Sequence, residues 1–288
     1  MSPQAPGKQQ EDDVATMRTP EELRTPEQLR GALATLLESA SDVAVAVSGG
    51  VDSMTLAAVC ARELGARAWA YHAVSPAVPP AATERVREYA RRYGWQLRVI
   101  EAGEFDDPEY RANPFNRCYF CKRNLYDRIA EHTTMQVFSG ANADDLGDFR
   151  PGLVAAAERA VRHPFVELNI SKAEVRALAQ SMGLVEVQDL PAMPCLSSRV
   201  ESGIRIEAAD LAFVNEIEDW LRESLGASTV RCRIGHAGVR VELDDQSLAG
   251  SGGDIEAHVR ARCEASDRQF VGFVPYARGS AFLRPEVS

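Results

Sequence analysis

The sequence predicts an α/β protein: a doubly wound parallel sheet followed by a smaller α+β domain. Three observations predict it. From residue 43 to about residue 183, short apolar β-rich runs alternate with amphipathic helical stretches, the pattern of a parallel sheet with right-handed crossovers. The first run, residues 43–47, enters the turn Ser48-Gly49-Gly50-Val51-Asp52-Ser53 and then a helix. Beyond residue 206 the pattern changes to one long amphipathic helix and then alternating strands.

Residues 1–25 are polar, rich in Pro, Gln and Glu, and read as a disordered tail. The sheet domain is placed at 26–190, a junction at 191–205 and the small α+β domain at 206–288. Leu29, Leu33, Leu36 and Leu37 give a helix over 26–39. Strands follow at 43–47, 67–74, 96–100 and 135–140, with a short fifth at 165–168. Helices are expected from Met54, over 83–93, after the loop 113–122 and from Arg150. Ser171 and Glu174 have capping-box spacing and open a helix that stops at Gly183. Residues 185–203 carry prolines and no clear period, so they read as the domain junction and part of the site. In the small domain a helix spans 207–225, then strands 229–234 and 239–243, a helix 254–265 and a strand 269–274.

A chain of 288 residues with 45% hydrophobic and 26% charged content is that of a soluble globular protein. No apolar run is long enough to span a bilayer and no signal peptide opens the chain, which points to the cytoplasm and away from membranes. A formal charge of −10 argues against a nucleic-acid partner. The six cysteines are not a disulfide framework in such a chain. Cys60, Cys232 and Cys263 read as packing residues.

The candidate chemistry begins at Ser48, Gly49, Gly50, Asp52 and Ser53. Two glycines let the backbone pass close to a ligand, and the N–H groups and helix dipole favour an anion. Asp52 can cap the helix or hold Mg²⁺ on a phosphate. No Gly-Lys-[Ser/Thr] ending is present, so this is not the ATPase P-loop; an ordinary Gly-Gly turn is the bland alternative. Asn142, Asp144 and Asp145 form a polar cluster after the fourth strand; the two aspartates suit Mg²⁺ or a ribose, or simply a helix cap. Cys118 and Cys121 form a Cys-x-x-Cys pair, with Cys195 as a third thiol in a loop. Three thiolates suit a [4Fe–4S] cluster with one iron open, and a reduced, metal-free pair is the alternative. Arg231 and Arg233 alternate on a strand and suit a phosphate or carboxylate, with a solvated face as the alternative. Arg199 lies close to Cys195 in sequence.

The Ser-Gly-Gly-Val-Asp-Ser turn resembles the pyrophosphate loop of the N-type ATP pyrophosphatases. Together with Asn-Pro-x-x-Arg-Cys-Tyr-x-Cys-Lys (113–122), Gly-Ala-Asn-Ala-Asp-Asp (140–145), Arg-Pro-Gly (150–152), Pro-Cys-Leu-Ser-Ser-Arg (194–199), Val-Arg-Cys-Arg (230–233) and Tyr-Ala-Arg-Gly-Ser (276–280), it resembles the LarE family of ATP-dependent sulfur transferases. The resemblance implies two rounds of carboxylate adenylation on a pyridinium-3,5-dicarboxylate mononucleotide, each followed by sulfur transfer, for a nickel-pincer nucleotide cofactor. It implies that Ser48, Gly49, Gly50, Asp52, Ser53, Asn142 and Asp145 bind ATP, with Mg²⁺ on Asp52. Cys195 stands at the sulfur position, and Arg199, Arg231 and Arg233 bind the substrate. Cys118, Cys121 and Cys195 would hold a [4Fe–4S] cluster, since the family has a sacrificial-cysteine version and a three-cysteine cluster version. A homo-oligomer, with a hexamer as the candidate, and a downstream nickel-inserting protein are implied as well. Val200-Glu-Ser-Gly203 departs from the family pattern, which carries an aromatic before the glycine. Competing readings are a three-cysteine tRNA thiolase of the same superfamily, an amide-forming synthetase and a nucleotide sensor.

Overall fold

The computed structural model describes residues 23–147, 150–191 and 194–277. Helix α1 (Pro26–Glu38) opens with a reciprocal Thr25–Gln28 capping box and buries Leu29, Leu33 and Leu37. There follow β1 (Val43–Ala46), α2 (Val51–Leu64), β2 (Ala68–Val74), α3 (Pro80–Tyr93) and β3 (Gln96–Glu101). Next come the one-turn α4 (Pro108–Arg111), α5 (Arg117–His132), β4 (Gln136–Ser139) and α6 (Pro151–Glu158). After α7 (Pro164–Glu167), α8 (Lys172–Ser181) and α9 (Val185–Gln188) come α10 (Ala208–Leu225), β5 (Val230–Gly235), β6 (Gly238–Leu243), α11 (Asp245–Ala249), α12 (Asp254–Ala265) and β7 (Phe270–Pro275).

The first sheet has the order β3-β2-β1-β4 and every pairing is parallel. Along β1 the side chains alternate between two cores. Val43 and Val45 join Leu29, Leu33, Met54 and Leu178 on one face. Ala44 and Ala46 join Tyr126, Ile129 and Ala156 on the other. Helices therefore cover both faces, and the sheet is doubly wound. The chain runs outward through β2 and β3, then returns to place β4 on the other side of β1. That reversal leaves a crevice beyond the carboxyl ends of β1 and β4.

The expected strand at 165–168 does not form. Pro164 takes the first position of α7, where its missing N–H costs nothing, and a ladder there would lack a donor. At the outer edge of β4 an isolated bridge forms with Arg162: Ser139 N–H donates to the Arg162 carbonyl and Arg162 N–H to that of Val137, both at 3.0 Å. Of the segment read as a tail, residues 1–22 lie outside the described residues. Arg24 is anchored, its guanidinium donating to Glu174 at 2.9 Å and to the carbonyls of Leu168 and Asn169.

The second sheet has the order β5-β6-β7, with β5 and β6 antiparallel and β6 and β7 parallel. It packs on Leu211, Val214, Ile217 and Leu221 of α10 and on Val259 and Cys263 of α12. Tyr110, Leu196 and Val200 belong to the same core, and Phe120, Cys121 and Cys195 pack against it partly buried. The second sheet is thus welded to the start of α5 and to the loop around Cys195. Cys60, Cys232 and Cys263 are core residues, and burial pushes the Cys60 thiol up to about 12.

Candidate active site

Ser48 to Gly50 form the turn between β1 and α2, while Val51, Asp52 and Ser53 are already the first helical turn. Ser53 Oγ accepts from Ser48 N–H at 3.0 Å and lies 3.1 Å from Ser48 Oγ. Gly140, just past β4, must be glycine: a Cβ there would lie 2.7 Å from Ser53 N and 2.8 Å from Asp52 C. Asp52 does not cap α2. Its carboxylate accepts from Asn142 Nδ2 at 3.1 Å and pairs with Lys172 Nζ, at the first position of α8. Asn142 N–H in turn donates to Asp145 at 3.1 Å, and Asp145 pairs with Arg150 at 2.8 Å. Asp144 accepts from Lys172 N–H at 2.9 Å and so fixes the start of α8.

Cys118 and Cys121 lie in the first turns of α5, which starts at Arg117, so the segment expected as loop is helical there. Cys195 immediately precedes a 3₁₀ turn, Leu196–Arg199. Burial pushes the Cys118 and Cys121 thiols up, and Cys195 raises both further; Cys121 and Cys195 pack against the same core, so the Cys195 loop lies beside the start of α5. Arg117, Lys122 and Arg150 pull Cys118 back. Burial alone would lower the Lys122 ammonium, but Tyr126 and the three thiols raise it. All six cysteines are free. Among the described residues, no group of three or more His, Cys, Asp or Glu side chains is gathered tightly enough for a single metal ion.

The struts of this pocket come from the Asn-Pro-x-x-Arg motif and its surroundings. Asn113 is fully buried, and its side-chain amide donates to the carbonyls of Glu201 at 2.8 Å, Ile204 at 2.9 Å and Val200 at 3.3 Å. Its own oxygen accepts from Arg117. Leu196 N–H donates to the Ala77 carbonyl at 2.9 Å, and the Tyr110 hydroxyl meets Ser197 Oγ at 2.6 Å. Arg199 is buried and forms a bidentate pair with Glu218 at 2.8 and 3.0 Å, while also donating to the Pro194 carbonyl at 2.8 Å. Arg233 pairs with Glu242 at 2.7 Å and donates to the Ser198 carbonyl at 3.0 Å. Arg231 is buried, and burial first and then Arg199 lower it; its guanidinium lies 5.7 Å from the Tyr276 ring centre. Arg199, Arg231 and Arg233 therefore gather around the Cys195 loop, with Arg199 spent on positioning it. Residues 278–280 of the closing motif, and residues 192 and 193 before Cys195, lie outside the described residues.

The Synechocystis protein slr1717 is 42% identical over 208 residues, covering 71% of this chain and 77% of that protein. The chain belongs to the slr1717 family. The pyridinium-3,5-bisthiocarboxylic acid mononucleotide synthase of Lactiplantibacillus plantarum is 29% identical over 76% of this chain and 80% of its own length, which supports the LarE family suggested by the motifs. Methanocaldococcus jannaschii protein MJ0830 is 27% identical over 70% of this chain and 78% of its own length. No family model matches.

Sequence reading of this slr1717-family chain missed Lys172, Tyr110, Ser197, Glu218 and Glu104. Lys172 was visible only as part of a capping box, although lysine occurs at just Lys8, Lys122 and Lys172. Glu104 is buried. Desolvation raises its carboxyl, partly offset by the Ser75 hydroxyl, and its Oε2 has no partner. It adds to the raised state of Tyr110 and Cys121. No spacing rule links these residues to Cys195; only the fold does.

Proposed function

We propose that this chain is an ATP-dependent sulfur transferase that converts the carboxylates of pyridinium-3,5-dicarboxylate mononucleotide to thiocarboxylates. The single observation that carries the reading is a chain of contacts that leads from the loop to the start of α5. It runs from Asp52 through Asn142 and Asp145 to Arg150, two residues before Gly152, where a Cβ would lie 3.5 Å from the Cys118 carbonyl oxygen. A nucleotide on the loop and a sulfur in the pocket would thus be neighbours. The likeness to a synthase named for the bisthiocarboxylic acid mononucleotide supports the substrate class.

In this reading Ser48, Gly49, Gly50 and Ser53 hold the β- and γ-phosphates with Lys172 as a counter-charge, and Asp52 would hold Mg²⁺, which would offset charge on the departing pyrophosphate. A substrate carboxylate oxygen attacks the α-phosphorus, pyrophosphate leaves, and an acyl-adenylate forms. A hydrosulfide held in the Cys195 pocket, and not the Cys195 thiolate itself, then attacks the carbonyl carbon; the C–O bond to AMP breaks, AMP leaves with the electron pair, the S–H proton is lost to solvent and a thiocarboxylate results. Arg231 and Arg233 hold the substrate's phosphate, and Arg199 positions the loop. The chemistry of the donor set supports a [4Fe–4S] reading: three reduced thiols are available, Cys121 and Cys195 pack partly buried against the same core, and Cys118 lies one helical turn before Cys121. Cys118, Cys121 and Cys195 would hold it, and it would supply a replaceable sulfide.

The test is anaerobic incubation with ATP, Mg²⁺ and the dicarboxylate nucleotide, followed by mass analysis of small molecules. AMP, pyrophosphate and thiocarboxylate in matching amounts are expected. Pyrophosphate release with no thiocarboxylate under sulfide supply would point to a different acceptor for the adenylate and overturn the proposal.

A further inference from the structure

Helix α3 reaches the phosphate loop from the side opposite Gly140. Arg85 Nη1 donates to the Gly49 carbonyl at 3.0 Å. Gly49 has φ +84°, and the place a Cβ would take is filled by the Ala82 carbonyl, 2.9 Å away. His72, fully buried, ties the same two elements together: Nδ1 meets the Val47 carbonyl at 2.8 Å and Nε2 meets Thr83 Oγ1 at 2.9 Å. A carbonyl only accepts, so Nδ1 carries the proton and Nε2 accepts from the threonine hydroxyl.

We infer that Arg85 is a positioning residue for the pyrophosphate-binding face of the loop, a role that rests on the adenylation reading above. The carbonyl of Gly49 and the N–H of Gly50 belong to one planar peptide and point in opposite directions. Holding the carbonyl on α3 turns the Gly50 N–H toward Ser48 and Ser53, where its partner is Ser48 Oγ at a long 3.4 Å. A glycine with positive φ leaves this peptide otherwise free to flip. Arg85 is half-buried, and among the described residues no carboxylate pairs with it. Among those residues its only hydrogen bond is to a neutral carbonyl, which does not offset its charge. Here the charge is left for an anion on the far side of the peptide. The occupant of that side, by its chemistry, is a Mg²⁺-bound diphosphate rather than the monophosphate of AMP.

The experiment titrates inorganic pyrophosphate with Mg²⁺, and separately AMP, into the full chain by calorimetry. Wild type is compared with Arg85→Gln and Arg85→Lys, and thermal midpoints are recorded for all three. Pyrophosphate affinity is expected to fall about tenfold in Arg85→Gln, the value of one charge-assisted hydrogen bond, and to recover in part in Arg85→Lys. AMP affinity is expected to stay within about twofold. Unchanged pyrophosphate affinity in Arg85→Gln, or a parallel loss of both ligands, would overturn the inference. If Arg85→Gln does not fold, wild-type pyrophosphate affinity together with altered AMP affinity in Arg85→Lys would do the same. Wild-type protein that binds neither ligand would instead bring down the adenylation reading, and this inference with it.

Discussion

In the phosphate loop, much of the fixing is local: Ser53 holds Ser48, and the turn runs directly from strand to helix. In the thiol pocket the main struts arrive from far along the chain, beside the local bonds of Arg117 to Asn113 and of Arg199 to the Pro194 carbonyl. Asn113 holds 200–204, Ala77 holds Leu196, and Glu218 holds Arg199. The turn itself is made by adjacent residues, with Gly140, Asn142 and Lys172 closing on it from later in the chain, whereas the thiol pocket exists only once two sheets are packed together. The shape of the turn is therefore set locally and that of the pocket by tertiary packing, and the proposed reaction needs both.

The largest expected effect separates the regions chemically. Cys195→Ala should cut thiocarboxylate formation by at least about a thousandfold while substrate-dependent ATP–pyrophosphate exchange persists. Asp52→Ala should abolish the exchange itself. Loss of exchange in both would show that the two regions do not act in sequence.

The next effect is on stability. Arg199→Met leaves Glu218 buried with fewer donors, at a cost of about 3 kcal/mol, the lower end of the usual range because Arg222 still reaches Glu218 at 2.7 Å. Chemical denaturation checks this. Asn113→Ala strips a donor from three carbonyls and an acceptor from Arg117, and should cost about 2 kcal/mol. If Asn113→Ala is neutral, the long-range struts are not what holds the pocket.

How much could be read in advance follows the same division. Ser48 to Ser53, the four parallel strands and the small sheet show in the sequence because each is a local pattern of period or turn chemistry. The failure at 165–168 is also local, since Pro164 favours a helix start over a ladder. The partnership of Asp52 with Lys172, 120 positions apart, and the burial of Arg199 against Glu218 depend on which helix packs where. No period or spacing encodes that.

The smallest effect concerns pH. His72 sits by the phosphate loop, and burial lowers it below its ordinary 6.5. Its folded-state value is depressed, so its contribution is present above 6.5 and lost as pH falls below that toward the folded value. His163 shifts the same way, so the comparison that counts is wild type against His72→Asn. Between about pH 7.5 and pH 5.5 the urea midpoint of wild type should fall more than that of the variant. Equal falls would remove His72 from the account.

The most direct test of the central claim, that sulfur passes through the Cys195 pocket to a carboxylate activated at the loop, is intact protein mass. It is measured without oxygen before and after turnover with ATP, Mg²⁺ and the dicarboxylate nucleotide. The account predicts thiocarboxylate product with unchanged polypeptide mass, and loss of product in Cys118→Ala and Cys121→Ala as well as Cys195→Ala. Loss of H₂S from the polypeptide, localised to Cys195, would contradict the three-thiol carrier and make that cysteine itself the sulfur source.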